Sequence, residues 1–196
     1  ELGADDYITK PFEFAELKLR VKNAITHAER ETYADPTSGL PSGRVIEEQL
    51  RDAMDDEEWA LLDIEITHFK GLQDAYGFIQ GNEIQRLMGM IISDVLNELG
   101  SLDDFGAHPG GANFLVITRF SKAAEITQKL RERFIKKAHT FYSFIDRDQG
   151  YVTLSDGSKV PLLGLAVGMV SPRTHSFSDI REIIELAAEE RRKDVR

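Results

Sequence analysis

The sequence predicts an α+β domain, and three stretches carry that expectation. Within residues 83–99 the apolar side chains Ile84, Leu87, Met88, Ile91, Val95 and Leu99 recur on one helical face. Residues 59–66 open as a continuous apolar run, Trp59-Ala60-Leu61-Leu62, and finish in alternation through Asp63, Ile64, Glu65 and Ile66, as a central strand does. Two more strand-like runs, 104–108 and 113–118, bracket Pro109-Gly110-Gly111 and predict a hairpin with a tight turn.

Taken in order, Phe14, Leu17, Val21, Ile25 and Ala28 stand at helical spacing, and the polar residues Glu29, Arg30, Glu31 and Thr32 continue that helix as a solvated linker up to a boundary at Asp35. Gly39, Pro41 and Gly43 mark a turn before a helix through Val45, Ile46, Leu50 and Met54. Gly100 follows the 83–99 helix as its expected C-terminal cap. Ser121 is the expected N-cap of a helix that places Ala123, Ile126, Leu130 and Phe134 on one face. Residues 141–170 read as strand-like runs separated by polar turns, with a hairpin at Asp156-Gly157 and a strand over 162–170. A last helix follows Ser176, with Asp179 at capping-box spacing and Ile180, Ile183 and Ala187 at core periodicity.

Bulk properties narrow the function classes. With 196 residues, 41% of them hydrophobic, the chain suffices for one full domain plus a fragment; it begins at Glu1 and reads as a piece of a longer protein. No apolar stretch is long enough to span a bilayer, so a cytoplasmic protein without a membrane partner is expected. The absence of cysteine removes disulfides and thiolate chemistry, and 34 acidic against 24 basic residues argue against nucleic acid. Arg191-Arg192-Lys193 reads as helix-end charge that complements the C-terminal dipole. His108 reads as a structural residue, since the other histidines lack metal-ligand spacing.

Gly110-Gly111-Ala112-Asn113-Phe114, together with Asp35-Pro36-Thr37-Ser38-Gly39-Leu40-Pro41 and with His68-Phe69-Lys70, Asp74, Tyr76-Gly77 and Gly81-Asn82, resembles the GGDEF family of diguanylate cyclases. The likeness covers the domain 35–196 and implies a central antiparallel sheet flanked by helices. It also implies a homodimer in which each molecule brings one GTP, with Mg2+, toward cyclic di-GMP. A second likeness precedes it, because Gly3-Ala4-Asp5-Asp6-Tyr7-Ile8-Thr9-Lys10-Pro11-Phe12 resembles the last strand and turn of a response-regulator receiver. Residues 1–28 would then be the remnant of a receiver and 29–34 its linker. That likeness implies Lys10 beside a phosphorylated aspartate, Pro11 after a cis bond, and a sensor kinase as partner.

Condensing two triphosphates needs hard carboxylate oxygens converging on a divalent cation. By the resemblance, the metal-binding places fall on Glu65, the carbonyl of Ile66 and Ala112, the second acid of the strand motif falls on Thr67, and Asn113 takes the next acidic place of the hairpin; guanine-reading places fall on Gln73 and Asn82, and a phosphate-contacting lysine on Lys70. The feedback site for product falls on Ser101 and Asp104, where the guanidinium of an Arg-x-x-Asp is gone and Asp103-Asp104 reads as a solvated turn. A methyl at Ala112 cannot ligate a cation, and the neutral amide of Asn113 lacks a carboxylate's charge. Asp63, on the same strand face as Glu65 and Thr67, is placed too far back to face the phosphates.

These residues predict a catalytically inactive response-regulator output domain, working through protein interaction or dimerisation, with no cofactor unless Mg2+ accompanies a bound nucleotide. Two alternatives stand beside it. One is an active diguanylate cyclase. The other is a non-catalytic domain that senses GTP or another nucleotide through Lys70, Gln73, Asn82, Gly110 and Gly111.

Overall fold

Every strand of the main sheet runs antiparallel to its neighbours, in the order Phe105–Gly110, Asn113–Arg119, Trp59–Thr67 and Gly164–Val170. The computed structural model describes residues 14, 17, 18 and 33–194, and its contacts separate 1–34 from 35–196. The sheet and the helices that flank it belong to the second unit. Lys10, Pro11 and linker residues 29–32 lie outside the described residues.

The elements follow in chain order as α1 (Arg44–Ala53), β1 (Trp59–Thr67), α2 (Phe69–Tyr76), α3 (Phe78–Leu99), β2 (Phe105–Gly110) and β3 (Asn113–Arg119). After them come α4 (Phe120–Ala138), α5 (Phe144–Gln149), β4 (Tyr151–Thr153), β5 (Lys159–Pro161), β6 (Gly164–Val170) and α6 (Ile180–Asp194). The β4–β5 hairpin, turning at Asp156-Gly157, forms a separate two-stranded sheet. Among the described residues no helix is long and apolar enough to cross a membrane.

Strand β1 reads apolar on both faces because both are covered. Ala60, Leu62, Ile64 and Ile66 face α3 and α4, where Ile84, Met88, Ile91, Leu130 and Phe134 complete the larger core. Trp59 and Leu61 face the other way, against Ile46 and Leu50 of α1 and Ile183 and Ala187 of α6. Each fully buried aliphatic side chain contributes about 1.5–3 kcal/mol, so β1 anchors both layers.

Several local expectations need correction. Helix α3 starts at Phe78 rather than at 83, since Gly77, at φ 89°, breaks it from α2. Gly100 is the C-terminal cap of α3 as expected, its N–H donating to the Leu96 carbonyl at 2.9 Å from an extended backbone. A glycine is still needed there, because a Cβ would stand 2.5 Å from Asp104 Oδ2 and 2.6 Å from the Leu96 carbonyl. Ser121 lies inside α4, whose N-cap is Arg119 with no side-chain cap. Residues 144–149 form a helix in place of the expected strand-like run; the Ser143 hydroxyl accepts from the Asp146 N–H at its start, and Gly150 closes it left-handed. Asp179, not Ser176, caps α6, its Oδ1 accepting from the N–H groups of Arg181 and Glu182.

The β2–β3 turn is fixed from outside the sheet. Gly110 pairs with Asn113 after a register shift that absorbs Pro109, which has no N–H to offer a ladder. Gly110 and Gly111 sit at φ 135° and 61°, where side chains are strained. The Gly111 carbonyl accepts from Gln85 Nε2 at 2.6 Å and lies 3.1 Å from His108 Nε2. His108 is 1% exposed and stacks on Phe114 at 4.2 Å, while its Nδ1 lies 2.9 Å from Asp35 Oδ1. Asp35 in turn accepts from the backbone of Thr37 and Ser38, so one carboxylate joins the first loop of the domain to the turn.

Helix α6 packs closely on the sheet at Gly168 of β6. A Cβ there would lie 2.1 Å from the Ala187 carbonyl and 2.4 Å from the Arg191 nitrogen, both backbone atoms that cannot swing aside. Gly168 is the cross-strand partner of Asp63.

Gly168→Ala is therefore expected to lift α6 and cost at least about 2 kcal/mol of stability, measured by urea denaturation; an unchanged midpoint would refute the close packing. Burial raises the Asp35 carboxyl, yet the hydrogen bonds from Ser38 and His108 outweigh it and hold it below the ordinary value. A depressed carboxyl adds stability that is complete above its unfolded value, about 3.9, and lost as pH falls through the folded one. Asp35→Asn should thus weaken the domain at neutral pH and flatten the loss of stability below about pH 4. Denaturation midpoints compared across that range check it, and parallel curves for the two proteins would contradict it.

Candidate functional site

Asp63 and Glu65 lie on the face of β1 that meets the hairpin residue Asn113. Antiparallel register sets Glu65 opposite Asn113 and Asp63 opposite Leu115, so the residual acids and the hairpin amide share one surface beneath α6. Arg191 of α6 comes down onto them. Its Nη1 donates to Asp63 Oδ1 at 2.6 Å and to Asn113 Oδ1 at 3.3 Å. Its Nε stands 3.2 Å from Glu65 Oε2, near enough for an ion pair but not aligned as a hydrogen bond.

Arg191 does lie in the last turn of α6 as expected, but its side chain does more than complement the helix dipole. The side chain is only 17% exposed and spans two carboxylates. Asp63 is 6% exposed. Burial pushes its carboxyl above the ordinary range, and the attraction of Arg191 offsets that only in part. Asp63 is thus a buried partner of an arginine, not an open ligand.

The remaining predicted positions divide into those that the fold employs and those left at the surface. The Ala112 side chain packs against the larger core, and its carbonyl accepts from the Ile66 N–H at 2.9 Å. Thr67, in the second acidic place, accepts from the Gly164 N–H at 3.1 Å and fastens the start of β6. Lys70 and Asn82 are exposed. Gln73 lies against Gly81, whose Cβ would stand 2.7 Å from Gln73 Nε2, which sets it beside the α3 turn that carries Asn82.

At the feedback position Asp104 is held on both oxygens, accepting from Ser101 Oγ at 2.9 Å and from Thr118 Oγ1 at 2.8 Å. It is a tie between loop and strand rather than part of a solvated turn. Gln85 and Arg191 are the residues that sequence reasoning missed. Gln85 falls on the polar side of a regular helix, and Arg191 sits 128 residues from Asp63, so neither carries a local signal.

Mg2+ asks for near-octahedral oxygen at about 2.0–2.1 Å. The residues here do not fit it: the Glu65 carboxylate is ion-paired, Ala112 has no side-chain oxygen, and the Asn113 oxygen already accepts from Arg191. Among the described residues no three His, Cys, Asp or Glu side chains gather at metal-binding range.

Comparison with known proteins bears on the scaffold. The family described as "Diguanylate cyclase, GGDEF domain" matches residues 32–161. Diguanylate cyclase SiaD of Pseudomonas aeruginosa, solved in complex with its activator SiaC, is similar at a TM-score of 0.68 and 15% identity, over 92% of this chain and 65% of that one. The present chain therefore spans just under two thirds of SiaD. The GGDEF domain of YfiN (TpbB) from Pseudomonas aeruginosa is similar at 0.57 and 23% identity, over 82% of this chain and 87% of that one. The coiled coil and GGDEF domain of DgcB from Caulobacter crescentus, in complex with c-di-GMP, is similar at 0.59 and 18% identity, over 91% and 87%. No curated protein sequence matches the chain. These identities bear on fold alone, while the match over residues 32–161 takes in most of the chain. With its glycine turn, its first-loop aspartate and its antiparallel sheet, this chain belongs to the GGDEF domain family.

Proposed function

We propose that this chain is the output domain of a response regulator in diguanylate-cyclase-type signalling, and that it works as a protein-interaction or dimerisation module without making cyclic di-GMP. One observation carries the reading: at the hairpin turn Ala112 presents a methyl where the chemistry needs a carboxylate, while Glu65 across the ladder is engaged by Arg191. In-line attack on a triphosphate depends on cations that neutralise the developing charge, and these side chains offer them no clamp. The turn that would carry the acids is nonetheless held by Gln85, His108 and Asp35, which supports a domain kept for its shape. SiaD was solved with a protein activator, SiaC, which supports partner binding as a use for this fold. The receiver-like residues 3–12 support a sensor kinase upstream.

Nucleotide sensing without turnover is the second reading, favoured by the meeting of Gln73 with the α3 turn that carries Asn82, one helix turn from Lys70. Calorimetry with GTP tests it, and no heat at high micromolar nucleotide would remove it.

Incubating the chain with GTP and Mg2+ or Mn2+ and separating the products by liquid chromatography should yield no cyclic di-GMP above a protein-free control. Product that accumulates with time would overturn the main reading.

A further inference from the structure

Resting on the reading of a domain that works through dimerisation, we infer that the short helix α5 and the first turn of α3 form the surface on which two copies of this chain pair about a two-fold axis. Four large apolar side chains stand in water there, Phe78 and Ile79 of α3 and Phe144 and Ile145 of α5, each between 71% and 81% exposed. One tyrosine ties the two pairs together. The Tyr76 hydroxyl donates to the Asp146 carboxylate and accepts from the Ser143 N–H at 3.0 Å. Phe144 and Ile145 therefore lie between its two partners, while Phe78 and Ile79 follow Tyr76 by two and three residues. Asp146 is held further by Ser143 Oγ at 2.8 Å and by Gln149 Nε2 at 2.9 Å, and Gly150 closes the helix. A helix of six residues that buries no side chain has little stability of its own. These bonds fix it, so its apolar pair is presented without an ordering cost on association.

The size and the charge of this patch point to a second copy as its occupant. Four phenylalanine and isoleucine side chains so exposed present on the order of 500 Å² of apolar surface, as much as the largest patch of an ordinary monomer and more than half of the area that each partner of a stable pair buries. Its rim carries both signs of charge side by side. Arg147 and Asp148 line a hollow of about 310 Å³ beside Phe144 and enter no ion pair among the described residues. About a two-fold axis Arg147 faces Asp148 of the partner subunit and Asp148 faces Arg147 of the partner subunit, while each Phe144 ring enters the hollow of the other copy. A partner of one charge sign would leave either Arg147 or Asp148 unmatched. At a formal charge of -10 two copies repel at long range, so the apolar contact supplies the affinity and the paired charges set the register.

The test follows the whole chain by sedimentation equilibrium. Wild type should dimerise reversibly at high micromolar concentration, and Phe78→Glu with Phe144→Glu should weaken association at least about tenfold with Tm unchanged, because both side chains already stand in water. Arg147→Asp and Asp148→Arg should each fail to pair with themselves and yet pair with one another when mixed, as an isologous contact through α5 requires. Because the chain has no cysteine, Ile145→Cys introduces a single thiol, and copper-catalysed air oxidation should join two copies through it. Leu102→Cys, as exposed but beyond the far end of α3, about 33 Å from Phe78, should stay unlinked. A wild type that remains monomeric would overturn the inference, as would a dimer indifferent to the substitutions at 78 and 144. If those variants do not fold, the thiols decide: faster linkage at 145 than at 102 supports the surface, and equal linkage overturns it. Cyclic di-GMP made by a wild-type dimer would sink the functional reading and leave this surface standing, whereas a silent monomer sinks only the surface.

Discussion

The contact on which this domain depends is the descent of α6 onto β6 at Gly168, because it carries a positive charge to a place the sheet cannot leave uncompensated. Strand β1 is buried on both faces, so a polar residue midway along it has little water to turn to. Asp63 is such a residue, and Arg191 is the group that satisfies it. Moving the helix outward by the depth of one methyl separates that pair. The small residue in β6, the buried pair Ile183 and Ala187, and the acid in β1 are thus one arrangement spread over three elements.

The hairpin turn is maintained by a different set of interactions. Gln85 from α3, His108 from β2 and Asp35 from the first loop all converge on the turn without involving positions 112 or 113. The fold of the turn is therefore independent of the chemistry it would carry. The alanine and asparagine at 112 and 113 take no part in these supports. Ala112 gains a place against the core, and the Asn113 oxygen gains a donor in Arg191.

Periodicity located β1, α1, α3, the hairpin and the last helix, since each buries a face whose apolar spacing repeats over several residues. Residues 144–149 escaped because Phe144 and Ile145 are exposed and bury no stripe; the helix there rests on the cap at Ser143 and on the bonds of Asp146 to Tyr76 and Ser143. Ala112, Asn113 and Ser101 could be singled out because the motifs around them fix their register. Arg191 was not legible, for a basic residue in the last turn of a helix has a sufficient local explanation in the dipole. Only the distance of that helix from the sheet, set by Gly168, distinguishes the two roles.

Charge compensation also separates a site built for a metal from one built for stability. Carboxylates meant to receive a cation have to stay unpaired in its absence, and that leaves the empty domain less stable than it could be. An arginine held between Asp63 and Glu65 removes the penalty permanently and, by the same contact, occupies the oxygens a metal would need. Stability and metal affinity are thus opposed at this place, since one side chain cannot serve the first without denying the second. With Ala112 already unable to ligate, no metal-binding advantage remains to set against the gain in stability. The physical balance then favours keeping the guanidinium in place.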